Sequence, residues 1–233
     1  MKKLLLLLAL STQLMFSQEY SFETLNLQFD TPMDIEFMRQ DSTEQMILAE
    51  RGGDVYVCDL IDNQWTKRTT PIISVNSSTY FERGLTSLAV SGNNDIIITY
   101  SLEEDEYNNE VGSSSRLTVN RVSRFEIDIL NNTSQPEVIL LEIPSIAANH
   151  QGLALVEKDG YIFVSIGDGA GGNYQQQAVD DGLIDQANAD VFSLMRPQTL
   201  HNNPFGKIMR INTADGSSPI DNPFYEGDGN NWN

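Results

Sequence analysis

The feature that most constrains the fold is an internal repeat of strand-like segments. Three regions, beginning near Asp34, Leu85 and Leu153, each contain an apolar run, a polar turn, a β-branched run, a loop and a further strand-like run. Short β-branched runs separated by Asn and Asp-Gly turns are typical of antiparallel hairpins, and no long stretch has a convincing helical period. A repeat of roughly fifty residues or more, with about four strands, is the pattern of a propeller blade. We therefore predict an all-β protein, a β-propeller with about three blades in this chain.

The less regular parts of the repeat lie between the blades. Residues 64–69 and 137–142 are candidates for the fourth strands, and residues 180–203 form an insertion with room for a short helix over 183–192. A ring needs at least about four blades to close. Three blades leave two open edges, so we expect the chain to be part of a longer ring or to close by association.

The amino terminus has the charge pattern of a secretory signal peptide. Lys2 and Lys3 precede an apolar run over residues 4–10 and a more polar stretch over 11–17, too short to span a bilayer. We predict a signal peptide over residues 1–17 with cleavage after Ser17, although the small residues Ala9 and Ser11 fit the cleavage rule and a buried amino-terminal helix is an alternative. Residues 18–233 would then form an exported domain, periplasmic or secreted.

Charge and cysteine content exclude several classes of function. The chain has 33 acidic and 14 basic residues and a net charge of -19, which disfavours non-specific binding to nucleic acid or to a membrane surface. Its one cysteine, Cys58, excludes an intrachain disulfide, and its alternating surroundings predict a core position. Neutral, cationic or metal-bridged ligands fit this balance better.

The candidate catalytic residues are a histidine and an aspartate at the two ends of one predicted hairpin. His150 precedes the first strand and Asp168 follows the second. An aspartate that accepts a hydrogen bond from one imidazole nitrogen leaves the other as a base, although a lone histidine before a strand is more often structural. Residues 167–172 also spell G-x-G-x-x-G, but they follow a hairpin rather than open a βαβ unit, so we reject dinucleotide binding.

Several short motifs follow one another along the chain. They are Pro32-x-Asp34-Ile35-Glu36-Phe37, residues 47–53 (ILAERGG), Glu82-Arg83-Gly84-Leu85, residues 121–125 (RVSRF), residues 159–169 (DGYIFVSIGDG), residues 206–211 (GKIMRI) and residues 221–224 (DNPF). Together, and in this order, they resemble the soluble glucose/sorbosone dehydrogenases, six-bladed propellers that use pyrroloquinoline quinone (PQQ) and Ca²⁺.

The resemblance implies a reaction and a role for three residues. His150 would be the general base that takes the proton from the anomeric hydroxyl of a sugar while hydride passes to the quinone, and Asp168 would orient the imidazole. Glu82 stands where the family presents a Gln or Glu to the cofactor. We assign no residue of this chain as a metal ligand, because the family's calcium loop follows the last matched motif.

The chain also departs from the family pattern. Thr86 and Ser87 replace a Leu-Gly pair, and the stretch from His150 to Asp159 is one residue shorter than usual, which bears on the direction of His150 because a one-residue shift in a strand reverses its faces. In the family the Arg-Asn-Pro cofactor motif follows the D-N-P-F motif, and this chain stops at Asn233. We therefore predict that this polypeptide alone lacks quinone-dependent activity. The alternative is a non-catalytic propeller that binds carbohydrate or protein.

Overall fold

The computed structural model describes residues 24–40, 43–92, 94–104, 106, 118–145, 148–169 and 204–225. The predicted signal peptide over 1–17 and the short helix over 183–192 lie outside these residues. Within the described residues the elements are thirteen β-strands, and none of the helical structure there is long and apolar enough to cross a membrane. The all-β prediction is confirmed.

The strands form three antiparallel sheets. In the first, the order is β1-β2-β3-β4 and β5 also pairs with β3; in the second, the order is β10-β8-β7-β6 and β9 also pairs with β8; the third is β11-β12-β13. The strands are β1 Pro32–Gln40, β2 Thr43–Glu50, β3 Asp54–Ile61, β4 Gln64–Lys67, β5 Ile73–Ser74, β6 Leu85–Ser91, β7 Asp95–Ser101, β8 Thr118–Asp128, β9 Thr133–Ser134, β10 Val138–Ser145, β11 Leu153–Lys158, β12 Tyr161–Ile166 and β13 Lys207–Asn212. Both predicted fourth strands, 64–69 and 137–142, correspond to strands, β4 and β10.

Local sequence explains the hairpin that carries the candidate site. Lys158 pairs with Tyr161, so only Asp159 and Gly160 connect β11 to β12. Both have a positive φ, 55° and 82°, which is the backbone of a type I′ turn and the reason that Asp-Gly is favoured there. The turn fixes the register, and that register places Leu153 opposite Ile166 at the other end of the hairpin.

Apolar residues fill the two spaces between the sheets. Between the first and second sheets pack residues such as Ile47, Val57 and Ile98, and between the second and third pack Ile97, Ile143 and Val164, all fully buried. The β7 run of three isoleucines serves both cores because successive side chains point to opposite faces of a sheet. Strand β6 contacts both β1 and β11, so the first strands of the three sheets lie side by side, as in a propeller.

Hydroxyl groups link these first strands. The register of β6 and β7 shifts between Leu85 and Ser87, and such an irregularity redirects side chains. Ser87 Oγ donates to Asp34 Oδ2 in the first sheet at 2.6 Å and accepts from the Leu155 backbone N in the third at 3.1 Å. Thr86 Oγ1 donates to the Leu153 carbonyl at 3.0 Å. The two residues that depart from the family motif therefore bridge neighbouring blades. Cys58 is fully buried, as predicted.

Candidate active site

Antiparallel pairing brings the candidate base and its carboxylate together. Since Leu153 opposes Ile166, the residues just before β11 and just after β12 lie at the same edge of the third sheet. There, His150 Nδ1 lies 2.9 Å from Asp168 Oδ1. The histidine precedes the strand and has a φ of 55°, so the register of β11 does not set the direction of its side chain.

The contact defines which imidazole nitrogen the carboxylate engages. When Nδ1 donates to the Asp168 carboxylate, Nε2 carries the lone pair and can accept a proton. The two side chains are 55% and 43% exposed, so a dissolved molecule can reach them. The arrangement fits a general base oriented by a carboxylate.

Backbone hydrogen bonds hold the two segments of this pair against each other. The Gly169 N–H donates to the His150 carbonyl at 3.1 Å, and the Gly167 N–H donates to the Gly152 carbonyl at 3.1 Å. A Cβ on Gly167 would lie 2.1 Å from the His150 carbonyl oxygen, so only glycine permits this approach. The glycines of the G-x-G-x-x-G string that the structure describes therefore serve the packing of this hairpin edge.

Glu82, on the loop that leads into β6, clamps the histidine from the second sheet. Its Oε2 accepts a hydrogen bond from the His150 backbone N at 2.5 Å, and its own N–H donates to the Ala148 carbonyl at 3.0 Å. Three positions predicted from sequence, Glu82, His150 and Asp168, thus come together. The predicted contact of Glu82 with a cofactor stays a prediction; the contact that the structure adds is to the backbone of the base.

Arg51 was not predicted as a site residue, yet it shapes the loop that carries Glu82. Its Nε donates to the Arg83 carbonyl at 2.9 Å, and its Nη2 donates to the carbonyls of Thr79 at 3.1 Å and of Phe81. At Gly84, with a φ of 155°, a Cβ would lie 2.6 Å from Arg51 Cγ. Two motifs contained the relevant residues: the first-blade motif includes Arg51, and the second-blade motif includes Glu-Arg-Gly. The sequence alone does not show that these two motifs contact each other.

Beneath the exposed residues lies a group that we call the buried polar cluster: the buried Arg83, Asn120, Ser145 and Gln151 together with the partly buried Glu104. Arg83 pairs with Glu104 and donates from Nη2 to the Ser145 carbonyl at 2.9 Å. Burial lowers the pKa of Arg83, and the neighbouring Glu104 opposes that shift. Ser145 Oγ and Asn120 Nδ2 both donate to Gln151 Oε1, at 2.9 and 2.7 Å.

The cluster reaches the candidate base through the backbone. Gln151 Nε2 donates to the Asn149 carbonyl at 2.9 Å, so a side chain buried in the protein holds the residue before His150. Gln151 itself follows His150. The backbone on both sides of the base is therefore fixed from below, while Glu82 fixes its amide.

The described residues carry few of the groups that would hold the quinone and the calcium ion implied by the resemblance. No three His, Cys, Asp or Glu residues within the described ranges gather as metal ligands. Glu82 is the one described residue that the resemblance assigns to the quinone. The cations of the adjoining loop, Arg51 and Arg83, bind backbone carbonyls and Glu104.

Antiparallel sheets packed face to face, with their first strands side by side, define a β-propeller. The chain belongs to the glucose/sorbosone dehydrogenase family, whose model matches residues 29–232. No curated protein sequence matches the chain.

Solved structures support the same fold. The chain is similar to a glucose dehydrogenase at 16% identity and a TM-score of 0.57, over 86% of this chain and 53% of that one. It is similar to the soluble aldose sugar dehydrogenase of Escherichia coli, solved in the apo form, at 16% identity and a TM-score of 0.57, over 86% of this chain and 49% of that one. The chain thus spans about half the length of the structures that it matches.

Proposed function

We propose that this chain contributes the acid–base part of an exported sugar dehydrogenase, with His150 as the general base. The observation that carries the proposal is the contact of His150 Nδ1 with Asp168 at 2.9 Å, on a backbone that Glu82 fixes at the His150 amide. Membership of the glucose/sorbosone dehydrogenase family and the likeness to glucose dehydrogenases support the reaction class. The substrate would be an aldose.

The chemistry assigned to these residues is a proton transfer. His150 Nε2 accepts the proton of the anomeric hydroxyl, and Asp168 stabilises the imidazolium that results. Removing that proton makes the anomeric carbon a better hydride donor. A neutral sugar is compatible with a chain of net charge -19 and with two carboxylates at the site.

PQQ, with Ca²⁺, is the oxidant that the resemblance assigns to the whole protein. Among the residues described here we assign His150 and Asp168 to the proton transfer and Glu82 to a contact with the quinone. Export rests on the predicted signal peptide over residues 1–17, and the mass of the protein recovered from the host's periplasm or medium tests it: a mature chain beginning at Gln18 is expected.

The experiment that tests the base measures dye reduction with glucose, PQQ and Ca²⁺ by the full-length protein. We expect His150→Ala to lower kcat by a factor of about 10² to 10⁴, the range for loss of a general base. Asp168→Asn should lower kcat less and alter its pH profile. His201→Ala, which removes the only other histidine, is the control. Equal rates for His150→Ala and the parent protein would refute the assignment.

A non-catalytic propeller that binds carbohydrate or protein is the second candidate, and it is favoured by the stretch from His150 to Asp159, which is one residue shorter than in the family pattern. The same experiment separates the two. Sugar binding without quinone-dependent dye reduction by the full-length protein would support the binding module, and turnover that depends on His150 would exclude it.

A further inference from the structure

Two aromatic rings stand exposed on the loop that carries Glu82. Tyr80 and Phe81 are 42% and 67% exposed, and their ring centroids are 4.8 Å apart at an interplanar angle of 73°. A phenylalanine gains little from folding when two thirds of it stay in water. Its presence there is therefore not explained by packing.

The backbone at Phe81 is in a strained conformation. Its φ is 52°, in the left-handed region that is costly for a bulky residue, with a typical cost of about 1–3 kcal/mol. The surrounding contacts impose it, because Arg51 donates hydrogen bonds to the carbonyls of Thr79, Phe81 and Arg83. Strain that the surrounding structure maintains is concentrated at ligand-binding and catalytic sites.

The strained residue lies next to the residue that holds the candidate base. Phe81 directly precedes Glu82, whose carboxylate accepts the hydrogen bond from the His150 amide. One rigid loop, fixed by Arg51, therefore presents both the aromatic pair and the group that holds the base.

We propose that Tyr80 and Phe81 form a platform that binds the apolar C–H face of a pyranose ring beside His150. A pyranose has one face rich in axial C–H groups, which packs on an aromatic ring while the hydroxyls stay hydrated or bind polar groups. The platform deepens the proposed function by assigning a binding site for its substrate class, and it rests on that function only for turnover. Binding itself requires neither oxidant nor proton transfer.

The test is saturation-transfer NMR of the full-length protein with methyl β-D-glucopyranoside. This glycoside has the C–H face and lacks the anomeric hydroxyl, so it reports the platform without the base. We expect Phe81→Ala to weaken binding about tenfold, which corresponds to the upper end of an aromatic packing contribution. Phe81→Tyr keeps a ring and should retain binding.

Two further variants keep the result interpretable. Phe81→Gly removes the ring but tolerates the left-handed backbone, so it should raise or preserve the melting temperature and still lose binding. Phe37→Ala removes a phenylalanine of similar exposure, 54%, from β1 and should leave binding unchanged. Unchanged binding in both Phe81→Ala and Phe81→Gly would overturn the platform, as would an equal loss in Phe37→Ala.

The same series distinguishes failure of the platform from failure of the proposed function. If His150→Ala has full dehydrogenase activity while Phe81→Gly loses sugar binding, the base assignment is wrong and the platform stands. If His150 controls turnover while Phe81→Gly binds normally, the base assignment stands and the platform is wrong.

Discussion

Two pairs of consecutive residues place opposite kinds of chemistry side by side. Glu82 and His150 are exposed and contact each other, whereas the residues that follow them, Arg83 and Gln151, are buried in the polar cluster. In each pair one residue faces solvent with a reactive group and the next anchors the backbone from below. The same short segments therefore carry both the groups of the proposed reaction and the residues that stabilise their geometry. We expect substitutions to impair the reaction and the stability separately.

The largest effect on stability should come from the buried cation. Arg83→Met removes the partner of Glu104 and the donor to the Ser145 carbonyl, and we expect a loss of about 3 kcal/mol in the free energy of unfolding. Urea denaturation measures it. Arg124→Met is the matched control, because its ion pair with Asp95 at 3.2 Å is partly exposed and should contribute about 1 kcal/mol or less. Equal losses in the two variants would show that burial does not distinguish them.

Gln151 should show the next largest effect. Gln151→Ala leaves Asn120 Nδ2, Ser145 Oγ and the Asn149 carbonyl without this partner, and unsatisfied buried groups cost about 1–3 kcal/mol. The imidazole NMR signals of His150 should also shift, because the residues on both sides of it lose their anchor. Gln64→Ala, an exposed glutamine on β4, should change stability by less than about 0.5 kcal/mol. Unchanged His150 signals would show that the buried polar cluster does not hold the base in position.

Contacts between residues close in sequence could be predicted from the sequence, and contacts between distant residues could not. Alternation of β-branched residues indicated the strands, and hairpin geometry alone put His150 and Asp168 at one edge, because that contact is local to one turn. The bond from His150 to Glu82 crosses between two sheets over 68 residues of chain, so no periodicity encodes it. The sequence at Phe81 does not predict a positive φ either, because the residue is neither Gly nor Asn. The hydrogen bond from Arg51, 30 residues earlier in the chain, holds the Phe81 carbonyl in that conformation.

The buried thiol of Cys58 should make the stability of the protein depend on pH. Burial raises the pKa of its thiol from an ordinary value of 9.0 to about 11, whereas the thiol of the unfolded chain titrates normally. The folded state therefore holds its proton more tightly, so this contribution to stability is complete below pH 9 and is lost as pH rises towards 11. In urea titrations at several pH values, Cys58→Ala should lose less stability than the parent chain over that window. Parallel curves would contradict the shift.

The smallest expected change in stability returns to the exposed side. Glu82→Gln keeps an acceptor for the His150 amide but removes its charge, so we expect a loss below about 1 kcal/mol together with faster hydrogen exchange at that one amide. Glu157→Gln is the matched control, because Glu157 Oε1 accepts from the Gly160 amide at 3.1 Å in a contact that is also exposed. Each variant should accelerate exchange only at its own partner. If Glu82→Gln leaves the hydrogen-exchange rate of the His150 amide unchanged, the buried polar cluster alone holds the backbone of the base.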